Sequence, residues 1–581
     1  MTRYYIGLAN TVHDPAIAIV GPDGEVLFAE AIERHLQSKR AWNQPPDPLP
    51  WLPELITRYC EPDAEFRVGT TWSRPWMLFV ALQTLLSPLP LGRLLGEGPS
   101  SDPPAARFAY RLRWIYRRLL QGSLMVGDNL RYQLRIRFGN RKVSFKHYAH
   151  HRTHAAYACM TSPFDDAVCA VVDGVGEFGN LSFFSWRGGE LSGLKHCFRF
   201  GSLGLVYSAL TEWCGFDPLL GEEWKVMGLA PYGVVDPEIY GLLEGLARVQ
   251  GLDISVPSLR QLGRSLKAME ERAIPRGRPP LESADLARTG QQFYSDRMTE
   301  LLTNLHRRGG SSNLVLGGGC ALNSSYNGRI TDETPFQQLY VPSAPGDDGN
   351  AVGAAMLAWQ EDHPGVRPPV ASSPYLGSAL SPDALDALAT HGRLEGLRHA
   401  PDTLLAEVAA RLADGKLVGW VQGRAEFGPR ALGNRSLLAD PRRADMKEVI
   451  NARVKFREAF RPFAPSILHE RGPDWFVDYA DAPYMERTQV WLPGVRERVP
   501  AVVHADGTGR VQSVSQERNP RFWGLLRAFE ELTGVPVLLN TSLNVMGKPI
   551  VHSVQDALGV FLTSGIDALV LGDTIIDKPA R

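Results

Sequence analysis

The strongest constraint on the fold is a pattern that occurs twice. Tyr4 to Leu8 reads as an apolar strand, and a connection from Ala9 to Pro15 carries His13 and Asp14. Ala16 to Val20 and Val26 to Glu30 then read as strands joined by the turn Gly21-Pro22-Asp23-Gly24-Glu25. The arrangement returns at Ala167 to Val172, followed by the polar loop Asp173-Gly174-Val175-Gly176 and by strands on both sides of Arg187-Gly188-Gly189-Glu190. A strand, an acidic loop and a hairpin in two copies predict a duplicated α/β fold.

Further along, the apolar strand Asn313 to Leu316 runs into Gly317-Gly318-Gly319. Glycines between a strand and a helix let the backbone approach a ligand closely, which makes Gly318 and the nearby Asn323 candidate cofactor-binding residues. The absence of GxxxxGK[ST] excludes a P-loop. A second acidic turn, Pro345-Gly346-Asp347-Asp348-Gly349, opens the small-residue helix Ala351 to Trp359. Duplications of this kind build the actin-like and sugar-kinase-like architecture, which carries ligands between its halves and no function by itself.

The chain has 581 residues, more than one hydrophobic core sustains. The shift to Pro, Val and Ser over EDHPGVRPPVASS, Glu361 to Ser373, is the best linker, predicting one domain over 1–365 and a second over 370–581. Within the first, about 76–139 reads as a helical insertion: an apolar run from Trp76 to Leu95 interrupted by Pro88, Pro90 and Gly92, a break at 96–104, then RLRWIYRRLLQ. Proline and glycine make that run a poor bilayer-spanning helix, so no stable membrane insertion is expected. A net charge of −1 provides no field for nucleic acid, and no nucleic-acid partner is expected. The six scattered cysteines contain no CxxC pair, and the N-terminus lacks the build of a signal peptide, so a cytoplasmic location is expected. The oligomeric state has no signature in the sequence.

Three constellations can carry chemistry. His150 and His154 are four residues apart, on one face of a helix, and no Glu stands beside His150 as HExxH would require. Asp173 and Asp347, each leading a glycine-containing loop, complete a set of two histidines and two carboxylates that suits iron or manganese as well as zinc. The second constellation starts at Gln422-Gly423-Arg424-Ala425-Glu426-Phe427-Gly428-Pro429-Arg430-Ala431-Leu432-Gly433-Asn434-Arg435-Ser436 and continues with Lys455, Arg457 and Arg461. Arginines spaced by Gly and Pro do not read as a solvated helix face, and guanidinium groups hold phosphate oxygens in pairs. The third is Asn540-Thr541-Ser542, after the strand Val535 to Leu539, where Asn540 and Ser542 can contact a nucleotide's phosphate or ribose.

The stretches HDPAIAIV, AIERHLQSKR, HHRTHAAY, VVDGVGE, GEEWKVMGLAPYG, LGGGCALN, PGDDGNAVGAA, GRAEFGPRALGNRS, RPFAPS and NTSLNVMGKPIV together resemble the NodU/CmcH O-carbamoyltransferases, from the first strand to the C-terminus. The resemblance implies an α/β chain: an actin-like, duplicated ribonuclease-H-like N-terminal domain, similar to the tRNA threonylcarbamoyl-transferring proteins, and an α/β YrdC-like C-terminal domain. It implies Fe(II), or a similar divalent metal, on His150, His154, Asp173 and Asp347. It assigns adenylate formation to Arg430, Lys455, Arg461, Arg510 and Ser542, although ADGTGRV around Arg510 reads locally as a turn. His13 would lie near the acceptor hydroxyl and Lys39 near the carbamoyl-adenylate phosphate.

The implied chemistry uses ATP with Mg2+ and carbamoyl phosphate to make carbamoyl-adenylate in the second domain. The intermediate then passes to the first domain, where His13 acts as general base on a small-molecule hydroxyl. The acceptor is expected to be a secondary metabolite, and the apolar insertion favours one that bears rings. Competing readings are an actin-like phosphotransferase or ATPase, which leaves the second domain unexplained, and a tRNA threonylcarbamoyl enzyme, which needs a basic surface that this chain lacks. A nucleotide-gated scaffold fails to predict the metal set.

Overall fold

The computed structural model describes residues 2–86, 104–139, 141–198, 201–370 and 373–579. Their contacts divide the chain into two compact units. One comprises Met1–Ile32, Arg40–Leu322 and Ile330–Ala371; the other comprises Glu33–Lys39, Asn323–Arg329 and Ser372–Arg581. Two short segments that precede residue 372 thus belong to the second unit. The first is held there by Arg34 Nη2 donating to Gly428 O at 2.7 Å, the second by Asn327 Nδ2 donating to Glu486 O at 2.8 Å.

In the first unit, β1 (Arg3–Ala9), β2 (Ala16–Val20), β3 (Val26–Ala31), β4 (Glu65–Thr71) and β5 (Val143–Tyr148) form a sheet ordered β3-β2-β1-β4-β5. β1 pairs antiparallel with β2 and parallel with β4; β2 pairs antiparallel with β3, and β4 pairs parallel with β5. The second sheet repeats this. β6 (Asp166–Val172), β7 (Leu181–Arg187), β8 (Glu190–Cys197), β9 (Asn313–Gly317) and β10 (Gln338–Tyr340) are ordered β8-β7-β6-β9-β10, with an antiparallel meander and then two parallel pairings. Order and polarity match strand for strand, which is the duplicated ribonuclease-H-like, actin-like fold expected from the repeated pattern. The central strands β1 and β6 are apolar along nearly their whole length because both faces are covered.

Between β4 and β5 the expected insertion consists of α1 (Arg74–Leu86), α2 (Pro104–Met125) and α3 (Asp128–Ile136). Trp76 and Val80, one turn apart on α1, bury against Leu119 of α2 and against Val12 and Trp72. Pro88, Pro90, Gly92, Arg93 and the break up to residue 103 lie outside the described residues. Among the described residues no helix is long and apolar enough to cross a membrane.

Each sheet is followed by a helix after its fifth strand: α4 (His150–Met160) after β5, and α5 (Asn350–Asp362) after β10. Glycine sets how closely α5 packs. A Cβ on Gly353 would stand 1.9 Å from Thr153 O of α4, one on Gly7 1.7 Å from Ala351 O, and one on Gly69 2.2 Å from Ala354 O. Backbone therefore meets backbone, and α5 is wedged against α4 and the first sheet. That wedge positions the site, because His150 and His154 ride on α4 and Asp347 sits at the entry to α5.

The second unit is α/β. β11 (Leu397–His399), β12 (Val418–Val421), β13 (Arg435–Ala439), β14 (Ala464–Leu468), β15 (Gln512–Val514), β16 (Val537–Ser542), β17 (Ala568–Leu571) and β18 (Thr574–Asp577) form a mixed sheet ordered β11-β18-β17-β12-β13-β16-β14-β15. Its core joins the apolar faces of α6 (Leu404–Ala413), α7 (Pro520–Thr533) and α8 (Val554–Thr563) to the sheet. A Ser553–Asp556 capping box opens α8.

Two local readings are corrected. β16 continues through Asn540 and Ser542 instead of ending at Leu539, because Asn540 pairs with both Leu438 and Ala464 and an interior strand must complete its ladder. Arg510 lies on the short strand Thr508–Arg510, paired with Thr488–Val490, and not in a turn.

Candidate active site

The first unit brings four predicted ligands together. The donor atoms of His150, His154, Asp173 and Asp347 all lie within 4.8 Å of one another. His150 Nε2 is 3.1 Å from Asp173 Oδ2 and 3.5 Å from Asp347 Oδ1; His154 Nε2 is 3.4 Å from each of the same two oxygens. The two imidazole Nε2 atoms face each other at 3.3 Å. Two ring nitrogens that close, with two carboxylates around them, are reconciled by a proton or a metal cation between them. Burial opposes a protonated His154, yet Asp173 and Asp347 raise its pKa to about 9. A divalent ion satisfies the same demand without a proton, so the donor set fits a metal, and nitrogen with carboxylate oxygen suits iron, manganese or zinc.

Neighbours hold the ligands in place. Asp173 Oδ1 accepts from the backbone N–H of Gly174 and Gly319, which turns Oδ2 toward the histidines. Trp72 stacks on His150 with ring centroids 4.3 Å apart and planes 4° apart. Glu177, buried, accepts from the backbone N–H of His150 and from Ser73, tying the start of α4 to the start of the insertion. Gly318 supports the site through backbone: its φ is +86°, a Cβ would strike Val172 O at 2.4 Å, and its N–H donates to Pro345 O. It thereby joins the two aspartate loops.

His13 borders this site, with Nδ1 3.8 Å from Asp347 Oδ2. The same nitrogen lies 2.8 Å from Asp14 Oδ2 and 2.9 Å from Arg40 Nη2, and Arg40 also pairs with Asp14 at 3.1 Å. Burial works against an ionised Asp14, but Arg40 and His13 outweigh it and hold its carboxyl well below the usual carboxylate range. Asp14 and Arg40 both have left-handed φ, +56° and +62°, a costly backbone for residues with side chains and one that recurs at functional sites. Sequence reasoning singled out neither. The pattern that could have found Asp14 is its place beside His13 in the first acidic loop.

The second unit gathers the cationic residues. Burial lowers Arg430 to about 10. Burial, then Arg457 and Arg461, push Lys455 well below its ordinary value, and burial, then Arg430 and Arg457, do the same to Arg510. Arg430, Lys455, Arg457, Arg461 and Arg510 are therefore near neighbours that disfavour one another's charge. Lys455 Nζ donates to oxygens of Ser542 and Asn544, including Asn544 Oδ1 at 2.7 Å, and Ser542 Oγ donates to Asn544 Oδ1 at 2.8 Å. Asn540 Nδ2 donates to Ala431 O, Ser466 Oγ and Gln512 Oε1.

The other arginines of the glycine-rich loop have different work. Arg435 is fully buried and donates to the carbonyls of Gln422, Gly423, Asn434 and Ser378; Arg424 donates to those of Gly377 and Leu376. They shape the loop that carries Arg430. Glu426 Oε1 completes it by accepting the N–H of Leu432, Asn434 and Arg435.

Two candidates fall in segments that belong to the second unit. Lys39 lies in the segment that packs with the second unit. Asn323 opens the short helix Ser324–Asn327, and its side chain accepts from Tyr326 N at 3.1 Å.

Comparison with known proteins adds the family. The Carbamoyltransferase N-terminus model matches residues 119–356 and the Carbamoyltransferase C-terminus model residues 409–578. An uncharacterized protein of Synechocystis sp., sll1178, is 36% identical over 74% of this chain and 76% of its own. Nodulation protein NolO of Bradyrhizobium diazoefficiens is 36% identical over 74% and 78%, and nodulation protein NolNO of Sinorhizobium fredii is 37% identical over 75% and 64%. Among solved structures, HypF of T. kodakarensis aligns at a TM-score of 0.32 with 15% identity, covering 63% of this chain and 48% of that one. A ROK family protein from Streptococcus pneumoniae aligns at 0.29 with 12% identity, covering 62% and 99%. The fold assignment rests on strand order and polarity, not on these alignments.

The fold and the matched sequence together define a transferase of carbamoyl groups: the chain belongs to the carbamoyltransferase family. Within it, the activity is that of an O-carbamoyltransferase.

Proposed function

We propose that the second unit converts carbamoyl phosphate and ATP to carbamoyl-adenylate, and that the first unit transfers the carbamoyl group to a hydroxyl of a small-molecule acceptor, a secondary metabolite. The observation that supports activation in the second unit is its cluster of mutually repelling cations, buried Lys455 and half-buried Arg430, Arg457, Arg461 and Arg510. Such a set is costly unless an anion neutralises it. A polyphosphate supplies that charge, and ATP brings Mg2+ with it.

In this reading water first hydrolyses carbamoyl phosphate to carbamate and inorganic phosphate, and the carbamate oxygen then attacks the α-phosphorus of ATP. The bond to the pyrophosphate leaving group breaks and carbamoyl-adenylate forms. Negative charge grows on the phosphoryl oxygens, where Arg430, Arg461 and Arg510 stabilise it. Lys455 braces the end of β16 through Ser542 and Asn544.

In the first unit the acceptor oxygen attacks the carbamoyl carbon and AMP leaves. With Asp14 accepting from Nδ1–H, His13 presents Nε2 as the base that removes the hydroxyl proton. Asp14 holds that ring, and Arg40 in turn holds the Asp14 carboxylate. His150, His154, Asp173 and Asp347 would hold Fe(II) or a similar ion, which would supply Lewis acidity toward the carbamoyl donor. Glu177 and Trp72 keep the ligand helix in register.

Arg461→Ala is expected to abolish ATP–pyrophosphate exchange that depends on carbamoyl phosphate; unchanged exchange removes the assignment. Incubating the protein with ATP, carbamoyl phosphate and a panel of hydroxylated natural products, scored by mass for a gained carbamoyl group, tests the whole reading. No gain and no AMP with any acceptor would refute it.

A further inference from the structure

The insertion between β4 and β5 carries a charge that the rest of the chain does not share. Residues 104–142 contain ten arginines and lysines against one acid, Asp128, in a chain whose net charge is −1. The field is therefore local. The last turns of α2 expose Arg117, Arg118, Leu124 and Met125. α3 follows after two residues and exposes Arg131, Tyr132, Arg135 and Ile136, with Arg137 exposed just beyond its end. Arg131 and Arg135 are one turn apart, as are Tyr132 and Ile136, so the four share one face. The opposite face buries Leu130 and Leu134 in the core beneath β1 and β4, which fixes the outward direction of the first.

The outward faces are as apolar as they are basic. Leu124 and Ile136 are 73% and 63% exposed, although the inner stripe of each helix already supplies its packing. The neighbouring α1 has the same division: Trp76 and Val80 bury, Leu78 and Leu82 are exposed one turn apart, and the helix has no acidic residue. The single acid is spent on Arg131, 2.9 Å from Asp128 Oδ1, while Arg135 and Arg137 form no ion pair among the described residues.

A counter-surface that suits both components has negative charge outside and hydrocarbon a few ångströms within. Anionic headgroups neutralise the arginines, Tyr132 lies at the headgroup level, and the leucine, methionine and isoleucine tips enter the acyl boundary. Nucleic acid would use the charge and leave the apolar tips wet. We infer that the outward faces of α2 and α3 form a peripheral docking surface for an anionic lipid bilayer, with Arg131, Arg135 and Arg137 on lipid phosphates and Leu124, Met125 and Ile136 in the interface. The chain rests on the bilayer without spanning it, in keeping with the absence of a crossing helix among the described residues. The surface is independent of the adenylate-forming reading, because none of these residues belongs to either proposed site.

The test is sedimentation of the full chain with vesicles of phosphatidylcholine alone or with about 30% phosphatidylglycerol added, alongside a vesicle-free control. Wild type is expected to pellet with the anionic vesicles only, and to be released by about 0.5 M salt. The variant R131Q/R135Q/R137Q should partition roughly 100-fold more weakly, as the loss of three interfacial cations predicts. The variant L124S/I136S should partition about tenfold more weakly at the same salt. Both should unfold within about 2 °C of wild type, since every changed side chain is exposed. No pelleting of wild type at low salt overturns the inference, as does equal pelleting with neutral vesicles or pelleting undiminished in the triple glutamine variant. Tight binding of a short unrelated DNA duplex that competes with the vesicles, with vesicle pelleting unchanged by L124S/I136S, also overturns it and marks a surface for polyanions in general.

Discussion

Gly353→Ala tests whether the contact between α4 and α5 builds the metal site. A carbon placed on Gly353 meets Thr153 O at 1.9 Å, Thr153 C at 2.7 Å and Tyr157 N at 3.1 Å, all of them backbone atoms that cannot rotate aside. An ordinary carbon–oxygen contact is about 3.3 Å, so the helices must separate by roughly 1 Å or more. Overpacking of this kind costs about 1–3 kcal/mol or more, against a gain of about 0.5–1 kcal/mol from replacing a helical glycine. The net loss should lower the unfolding midpoint by about 2–5 °C. The larger effect falls on the metal. Thr153 lies between His150 and His154, and Asp347 leads directly into α5, so the same separation pulls two ligands from a third. Metal–ligand distances tolerate only about 0.2 Å. Elemental analysis of the purified variant should show bound metal well below the wild-type stoichiometry. Gly241→Ala is the control, since a Cβ there meets nothing within 4 Å, and it should stabilise by about 0.5–1 kcal/mol without changing metal content. A Gly353→Ala protein with full metal occupancy and a wild-type midpoint would refute the reasoning.

Glu177→Gln leaves one oxygen to serve the N–H of His150 and the two donors of Ser73, and should cost about 1–3 kcal/mol by chemical denaturation while lowering metal affinity. A strong chelator should lower the thermal midpoint of the wild-type protein, and Asp173→Asn should abolish that chelator dependence, because ligand that binds only the folded state stabilises it. Glu407 is held down to about 2, chiefly by hydrogen bonds from Arg398 and Thr403. Its folded pKa lies below the unfolded value near 4.5, so its contribution is present above that pH and is lost as pH falls toward 2. Wild type and Glu407→Gln should differ by less than about 1 kcal/mol at pH 7, since the pair is partly exposed, and should converge in acid when followed by urea unfolding.

The local patterns were legible from the chain alone. The repeated strand, acidic loop and hairpin predicted the first three strands of each sheet, because alternation, turn glycines and apolar runs act over a few residues; β4, β5 and β10 were not read from the sequence. His150 and His154 could be paired because four residues make one helical turn, and Asp173 and Asp347 stood out as acids leading loops after strands. The arginines were harder. Arg424, Arg430 and Arg435 share one glycine-rich stretch, and nothing local tells a guanidinium that binds loop carbonyls from one that faces a cationic cluster. Burial and the direction of the neighbouring carbonyls make that distinction, and they arise only when β12 and β13 pair.

The sequence by itself determined the strand pattern, the ligand types and the family, all carried by residues near one another in the chain. Tertiary structure alone decided that Trp72 stacks on His150, that Arg40 reaches back to Asp14 and His13, that β16 runs on through Ser542, and that Lys39 and Asn323 pack with the second unit. Each depends on contacts between residues far apart in sequence, where packing overrides local preference. The four metal ligands show both sides. Their chemistry was readable at once, whereas their convergence within 4.8 Å rests on glycines at positions 7, 69 and 353 that let α5 lie directly against backbone.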